Sequence, residues 1–263
     1  MLLIHGSGMS AGCWVHQLHG LAPHARMVAI DLPGHGGSAR IEGTSVEEYA
    51  DVVGAFLDTH DARDVIVVGH SLGGAVAIAL AARRPPRVTG LVLLSTCARL
   101  PHVSAVWEGW LACLPRSVRS ALFLSLAKRT LFGPYATGQA VSLGLEQLRA
   151  CRSDTMVRDI QSARAMDVTG QAMRVDVPAL ILCGSRDEVT PPALAQALHE
   201  LIPGSRLSVI DGAGHMVPLE MPEAVNRALL DFAGVAAAPA ARAWHAVSIV
   251  QRLFAWLARS RLI

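Results

Sequence analysis

The sequence predicts an α/β fold in which a mostly parallel sheet is flanked by helices and carries an inserted helical cap. Three observations predict it. Short apolar, β-branched runs alternate with longer segments of helical periodicity, which is the pattern of a parallel sheet. Apolar residues make up 52% of the chain and charged residues 17%, enough for strands buried on both faces. The alternation breaks once, between about residues 101 and 175, where apolar residues keep helical spacing alone.

Taken in order, strands are expected at Leu2–His5, Met27–Asp31, Val65–Gly69, Leu91–Ser95, Ala179–Cys183 and Leu207–Asp211. Helices are expected at Val46–Thr59, Gly73–Arg83, Pro192–Leu201 and Pro222–Phe232, the last three each following a loop rich in Gly or Pro. In the interruption, Trp107, Trp110, Leu111, Leu114, Leu122 and Phe123 come first, then Val141, Leu145 and Leu148. They read as several helices inserted between two strands, forming a cap over the carboxyl ends of the sheet. The expected organisation is a core in two parts, 1–100 and 176–234, a cap at 101–175, and a tail at 235–263.

A chain of 263 residues suits one large domain with such an insertion. A net charge of +2 is too weak a bias to argue for a nucleic-acid partner. The five cysteines stand singly with no CxxC pair, which reads as reduced thiols in a cytoplasmic protein and no metal-ligand spacing. The first residues carry no secretion signal, and no uncharged apolar run reaches the length of a membrane span.

Val65-Ile-Val-Val-Gly-His-Ser-Leu-Gly-Gly74 holds the strongest chemical signal, G-x-S-x-G over Gly69–Gly73. A β-branched run precedes it and an Ala-rich segment follows, so the serine sits on a strand-to-helix turn. Side chains at the flanking positions would clash with so sharp a turn, hence the glycines. The turn lifts Ser71 out of the sheet and aims the Leu72 N–H and the positive end of the helix at the same spot.

A nucleophilic serine needs a base, and the base needs an orienting acid. His215, in Asp211-Gly-Ala-Gly-His-Met-Val-Pro218, follows the last strand on a Gly-rich loop and is the expected base. His70 adjoins the serine but points elsewhere, and His35 shapes a loop near the site. Asp187, in the loop after the next-to-last strand, is the expected acid, with Glu188 as the fallback. Asp211 is read as ending its strand. The second oxyanion donor is expected from the loop after the first strand, at the Ser7 N–H, with Leu72 supplying the other. Trp107, Trp110, Leu111 and Phe123 are the candidate substrate-pocket residues.

These motifs together resemble the α/β-hydrolase superfamily, and more narrowly its capped, esterase-like serine hydrolases. The resemblance rests on HGSG at His5–Gly8, DLPGHGGS at Asp31–Ser38, GHSLGG from Gly69, GSRDEVTP at Gly184–Pro191 and GAGHMVPLEMPE at Gly212–Glu223. It implies a small-molecule ester as substrate, an acyl-enzyme on Ser71, and neither metal nor organic cofactor. Carbon–carbon cleavage of a ring-fission product uses the same triad in similar proteins, and lactone, thioester and perhydrolase chemistry stay open beside it. A slow-turnover ligand receptor on the same fold is the competing class.

The chain departs from the family pattern twice. Similar proteins have one or two strands before the HGSG strand, whereas this sequence begins directly at it, so an exposed sheet edge is expected. After Gly234 an Ala/Pro-rich linker leads to Trp244–Ile263, where Val247, Val250, Phe254 and Leu257 recur at helical spacing with arginines opposite. This basic amphipathic helix is expected to pack on its own domain, or to lie on a membrane surface or a partner protein. The oligomeric state is not legible.

Overall fold

The computed structural model describes residues 1–43, 45–83, 87–101 and 116–234. Among these residues six strands form one sheet: β1 (Leu2–Ile4), β2 (Val28–Ile30), β3 (Val65–His70), β4 (Val88–Leu94), β5 (Ala179–Gly184) and β6 (Arg206–Ile210). Their spatial order is β2-β1-β3-β4-β5-β6, and every pairing is parallel. β1 pairs on one side with β2, its successor, and on the other with β3. The connections therefore reverse direction between β1 and β3, which opens a crevice at the carboxyl ends of these two strands.

The two-residue period of a strand sorts its side chains into two cores. Leu2, Ile4, Val67, Leu91, Leu93 and Ile181 point to one face, beneath α2 (Val46–Thr59), α3 (Leu72–Ala81) and α8 (Pro192–Leu201). Leu3, Val68, Val92, Leu94, Leu180 and Leu182 point to the other. There they meet Trp14 of a 3-10 turn, Leu21 of α1 (Val15–Leu21), Val217 of α9 (Val217–Glu220), and Val225 and Leu229 of α10 (Pro222–Phe232). Because β3, β4 and β5 are covered on both sides, they read as nearly unbroken apolar runs.

Local signals set the helix limits. Ser45 accepts from the Glu48 amide while the Glu48 carboxylate reaches back to the Ser45 amide, so a capping box starts α2 at the expected residue. α8 and α10 each open with proline in the first turn and also match their expected bounds. All ten residues of α3 are buried, and small ones dominate because the helix lies flat on the sheet. β4 starts at Val88, ahead of the expected Leu91: Thr89 and Gly90 interrupt the apolar run, and the register with β3 shifts there, Val65 facing Val88 and Ile66 facing Gly90. The sequence does not predict the short α1, because VHQLHGL is too short and polar to show a period.

Between β4 and β5 lie α4 (Arg116–Leu131), α5 (Gly138–Ala150), α6 (Ser153–Ala165) and α7 (Thr169–Ala172). Trp107, Trp110, Leu111 and the whole 235–263 segment fall outside the described residues. β2 forms one edge of the sheet, half-buried throughout.

Candidate active site

β3 ends at His70, and the chain turns through Ser71 directly into α3. Ser71 holds φ 53° and ψ −122°, a region that L-residues avoid, at a cost of about 1–3 kcal/mol. The turn is locked from both sides: the Ser71 amide donates to Leu94 O at 2.9 Å, and Thr96 Oγ1 donates to Ser71 O at 2.7 Å. Its glycines are sterically required. A Cβ on Gly69 would lie 2.3 Å from Gly73 O, and one on Gly73 2.4 Å from the carbonyl oxygens of Ile4 and His5.

Ser71 Oγ lies 3.1 Å from His215 Nε2, and His215 Nδ1 lies 2.9 Å from Asp187 Oδ2 and 3.1 Å from Oδ1. His215 and Asp187 are both buried. Burial alone would push the Asp187 carboxyl up, but the His215 ring and the Thr190 donors outweigh it and hold the carboxyl below its usual range. The amides of Val189 and Thr190 donate to Asp187 Oδ1 at 2.9 and 2.8 Å, and Thr190 Oγ1 donates to Oδ2 at 2.8 Å. Glu188, the fallback acid, is exposed, and Asp211 accepts a bond from Ser185 Oγ at 3.0 Å.

The loop carrying His215 is held by groups that the sequence does not mark. Glu220 is buried and accepts from the amides of Gly133, Gly214 and Met216 at 2.7, 3.0 and 2.9 Å. The amides of His215 and Met216 donate to Leu131 O, the last carbonyl of α4. His70 points away from the serine hydroxyl and donates from Nε2 to His215 O at 2.9 Å. Thr190 and Glu220 lie inside GSRDEVTP and GAGHMVPLEMPE, but nothing in a single sequence says which member of a motif bears a carboxylate's bonds.

Gly6 brings the loop after β1 against the serine: a Cβ there would sit 2.9 Å from Ser71 Cβ. The Leu72 amide, in the first turn of α3, has no partner within its helix, and the Ser7 amide enters no backbone hydrogen bond. Both residues line a cleft of about 270 Å³ over Ser71 and His215. Its remaining walls are mainly apolar, among them Met9, Leu100, Leu131, Ile160, Met166 and Val189, with Arg164 as a cationic lining residue.

Phe123, expected to line the pocket, does not. It is 39% exposed on α4, and Leu131, eight residues on and so about 12 Å further along the helix, lines the cleft instead. Helical spacing marked an apolar segment but not which end of it reaches the serine. Among the described residues, no three of His, Cys, Asp or Glu cluster as metal ligands.

His35 shapes its loop, as expected, through a partner that was not foreseen. Its Nε2 donates to Asp159 Oδ2 of α6 at 2.8 Å, both side chains being buried. Nothing around Asp159 in the sequence signals this role.

The family profile described as Alpha/beta hydrolase family matches residues 1–228. A pimeloyl-[acyl-carrier protein] methyl ester esterase of Neisseria meningitidis is 32% identical over 239 residues, spanning 88% of this chain and 91% of that protein. A solved structure of a thermophilic esterase from Thermogutta terrifontis superposes with a TM-score of 0.78 at 26% identity, covering 89% of this chain and 88% of the other. An enol-lactonase from Burkholderia xenovorans LB400 gives 0.76 at 25% identity, covering 89% and 90%.

Proposed function

Because this chain belongs to the Alpha/beta hydrolase family, we propose that it is a carboxylic ester hydrolase working through an acyl-enzyme on Ser71. The observation that carries the reading is the unbroken relay Ser71 Oγ–His215–Asp187, at 3.1 and 2.9 Å, beneath an apolar cleft. The esterase names of the similar proteins support the same reaction class.

Ser71 attacks the ester carbonyl as His215 Nε2 takes its proton. Asp187 keeps the Nδ1–H tautomer and stabilises the imidazolium that forms. The Leu72 and Ser7 amides hold the oxyanion, each such donor being worth roughly 10²–10³ in rate. His215 then protonates the departing alcohol. In the second step it activates water, which releases the acid and restores Ser71. The apolar walls suit a small or medium acyl group. Free thiols at Cys13, Cys97, Cys151 and Cys183 suit a reducing, cytoplasmic setting.

The test is labelling with a fluorophosphonate and turnover of p-nitrophenyl esters of increasing chain length. Wild type is expected to label at Ser71 and to show a chain-length optimum set by the cleft. Ser71→Ala is expected to lose labelling and at least about 10³-fold in kcat while keeping its Tm. Ester turnover in the folded S71A variant near the wild-type rate would remove the assignment.

A further inference from the structure

Asp159 sits on α6, in the segment inserted between β4 and β5, yet its carboxylate bonds to the loop after β1. Oδ2 accepts from the Gly8 amide at 2.8 Å and from His35 Nε2 at 2.8 Å, and the side chain is fully buried. The His35 pKa is raised: burial lowers it, but the hydrogen bond to Asp159 and the carboxylate charge outweigh burial. Both bonds to the carboxylate are thus of the charge-assisted kind. The Tyr49 hydroxyl faces the same carboxylate, pushed up to about 12 by burial and then by the Asp159 charge.

The Gly8 amide is a decisive place to hold this loop. The Met9 amide donates to Gly6 O at 3.2 Å, closing a four-residue turn with Ser7 and Gly8 at its centre. Gly8 has φ +68°, the positive value that a type II turn requires at its third residue. The Gly8 N–H belongs to the central peptide of that turn, the unit that flips between turn types. Anchoring that peptide fixes ψ of Ser7 and, with the Met9–Gly6 bond, holds the whole turn in place against Ser71, including the Gly6–Ser7 peptide that carries the Ser7 N–H. Apolar contacts press on the same point: a Cβ on Gly8 would strike Met156, also of α6, at 2.2 Å and Leu148 of α5 at 3.1 Å. Nearby, Ser10 Oγ donates to Gln147 Oε1 at 2.5 Å.

We propose that Asp159 is a positioning residue for the oxyanion loop: by accepting from the Gly8 amide it holds the Gly6–Met9 turn so that the Ser7 N–H faces the oxyanion. The inserted helices then complete the catalytic apparatus as well as roofing the cleft. This rests on the hydrolase reading above. A turn released from this anchor shifts as a body and displaces a donor that acts in the transition state, so kcat falls while KM changes little.

The experiment compares wild type, Asp159→Ala and Asp159→Asn on one p-nitrophenyl ester, with S71A as control. D159A is expected to lose about ten- to a hundredfold in kcat, with KM within about threefold. The isosteric D159N, whose amide oxygen still accepts from Gly8, is expected to keep kcat within about threefold of wild type. A folded D159A with wild-type kcat would overturn the proposal, as would a folded D159N as impaired as D159A. Alanine leaves two buried donors unpaired and could unfold the protein, so amide exchange is measured on wild type itself. The Gly8 amide must exchange slowly, and fast exchange there overturns the proposal without any variant. Failure of the hydrolase reading is distinct: wild type would then lack Ser71-dependent turnover, and the Gly8 exchange rate alone would decide the turn contact.

Discussion

His70 and His5 are fully enclosed beside the serine, and burial sets their protonation. Desolvation first, then repulsion from the His215 ring, lowers the His70 pKa to about 3. Desolvation and then His35 lower that of His5 to about 4. An unfolded histidine titrates near 6.5, so between that value and about 4 (His5) or 3 (His70) the unfolded chain binds more protons than the folded one. Stability therefore falls on acidification through this window, by an amount on the order of a few kcal/mol per histidine. His35, with a raised pKa, acts in the opposite sense: its contribution is fully present below the unfolded value and is lost as pH rises through the folded one. The expected outcome is a Tm that drops between about pH 7 and pH 4.5, with a shallower drop in His70→Gln. The Gln amide can still donate to His215 O but has no proton to gain. Equal slopes in the two proteins would show that His70 is not the group resisting protonation.

At the scale of the element, the strand–serine–helix turn is a steric device before it is a chemical one. Gly73 is where α3 passes the end of β1, with no room for a methyl group between them. Gly73→Ala would push α3 off the carbonyls of Ile4 and His5, disturbing at once the Leu72 and Ser7 amides proposed as oxyanion donors. The expected result is a loss of roughly 3 kcal/mol or more in urea unfolding, with esterase activity reduced in the fraction that folds. Gly138, which meets nothing within 4 Å, is the control: Gly138→Ala should change stability by less than about 1 kcal/mol. If both variants unfold at the same urea concentration, the close approach at Gly73 is not what requires glycine there.

Across the whole molecule, one sheet separates two apolar cores, and the reacting groups gather above its carboxyl edge. Ile181, at the centre of β5, is fully buried in the core under α3 and α8. Ile181→Ala should cost about 2–5 kcal/mol, read as a lower urea midpoint at unchanged slope. Since Ile181 faces away from the core that holds Trp14 and Val217, kcat in the folded variant should stay near wild type. The division between what was legible and what was not follows the range of the interactions. The alternation of strands and helices, the turn at Ser71 and the loops carrying Asp187 and His215 are encoded by neighbours in the chain: β-branched runs, prolines in first turns, glycines where a side chain cannot fit. Even the limits of α2, α8 and α10 were readable, because capping boxes and prolines act within four residues. The contacts of Asp159 with Gly8, 151 positions away, and with His35, 124 away, leave no such mark. Nor do the three amides that Glu220 gathers, or the side of α4 that Phe123 occupies. A buried carboxylate finds its donors only once separate segments are packed together, and a helical period says that a face is apolar without saying what it meets. The sequence by itself determined the sheet, the turn and the chemical groups available; the packing of the inserted helices on the loops decided how those groups are held.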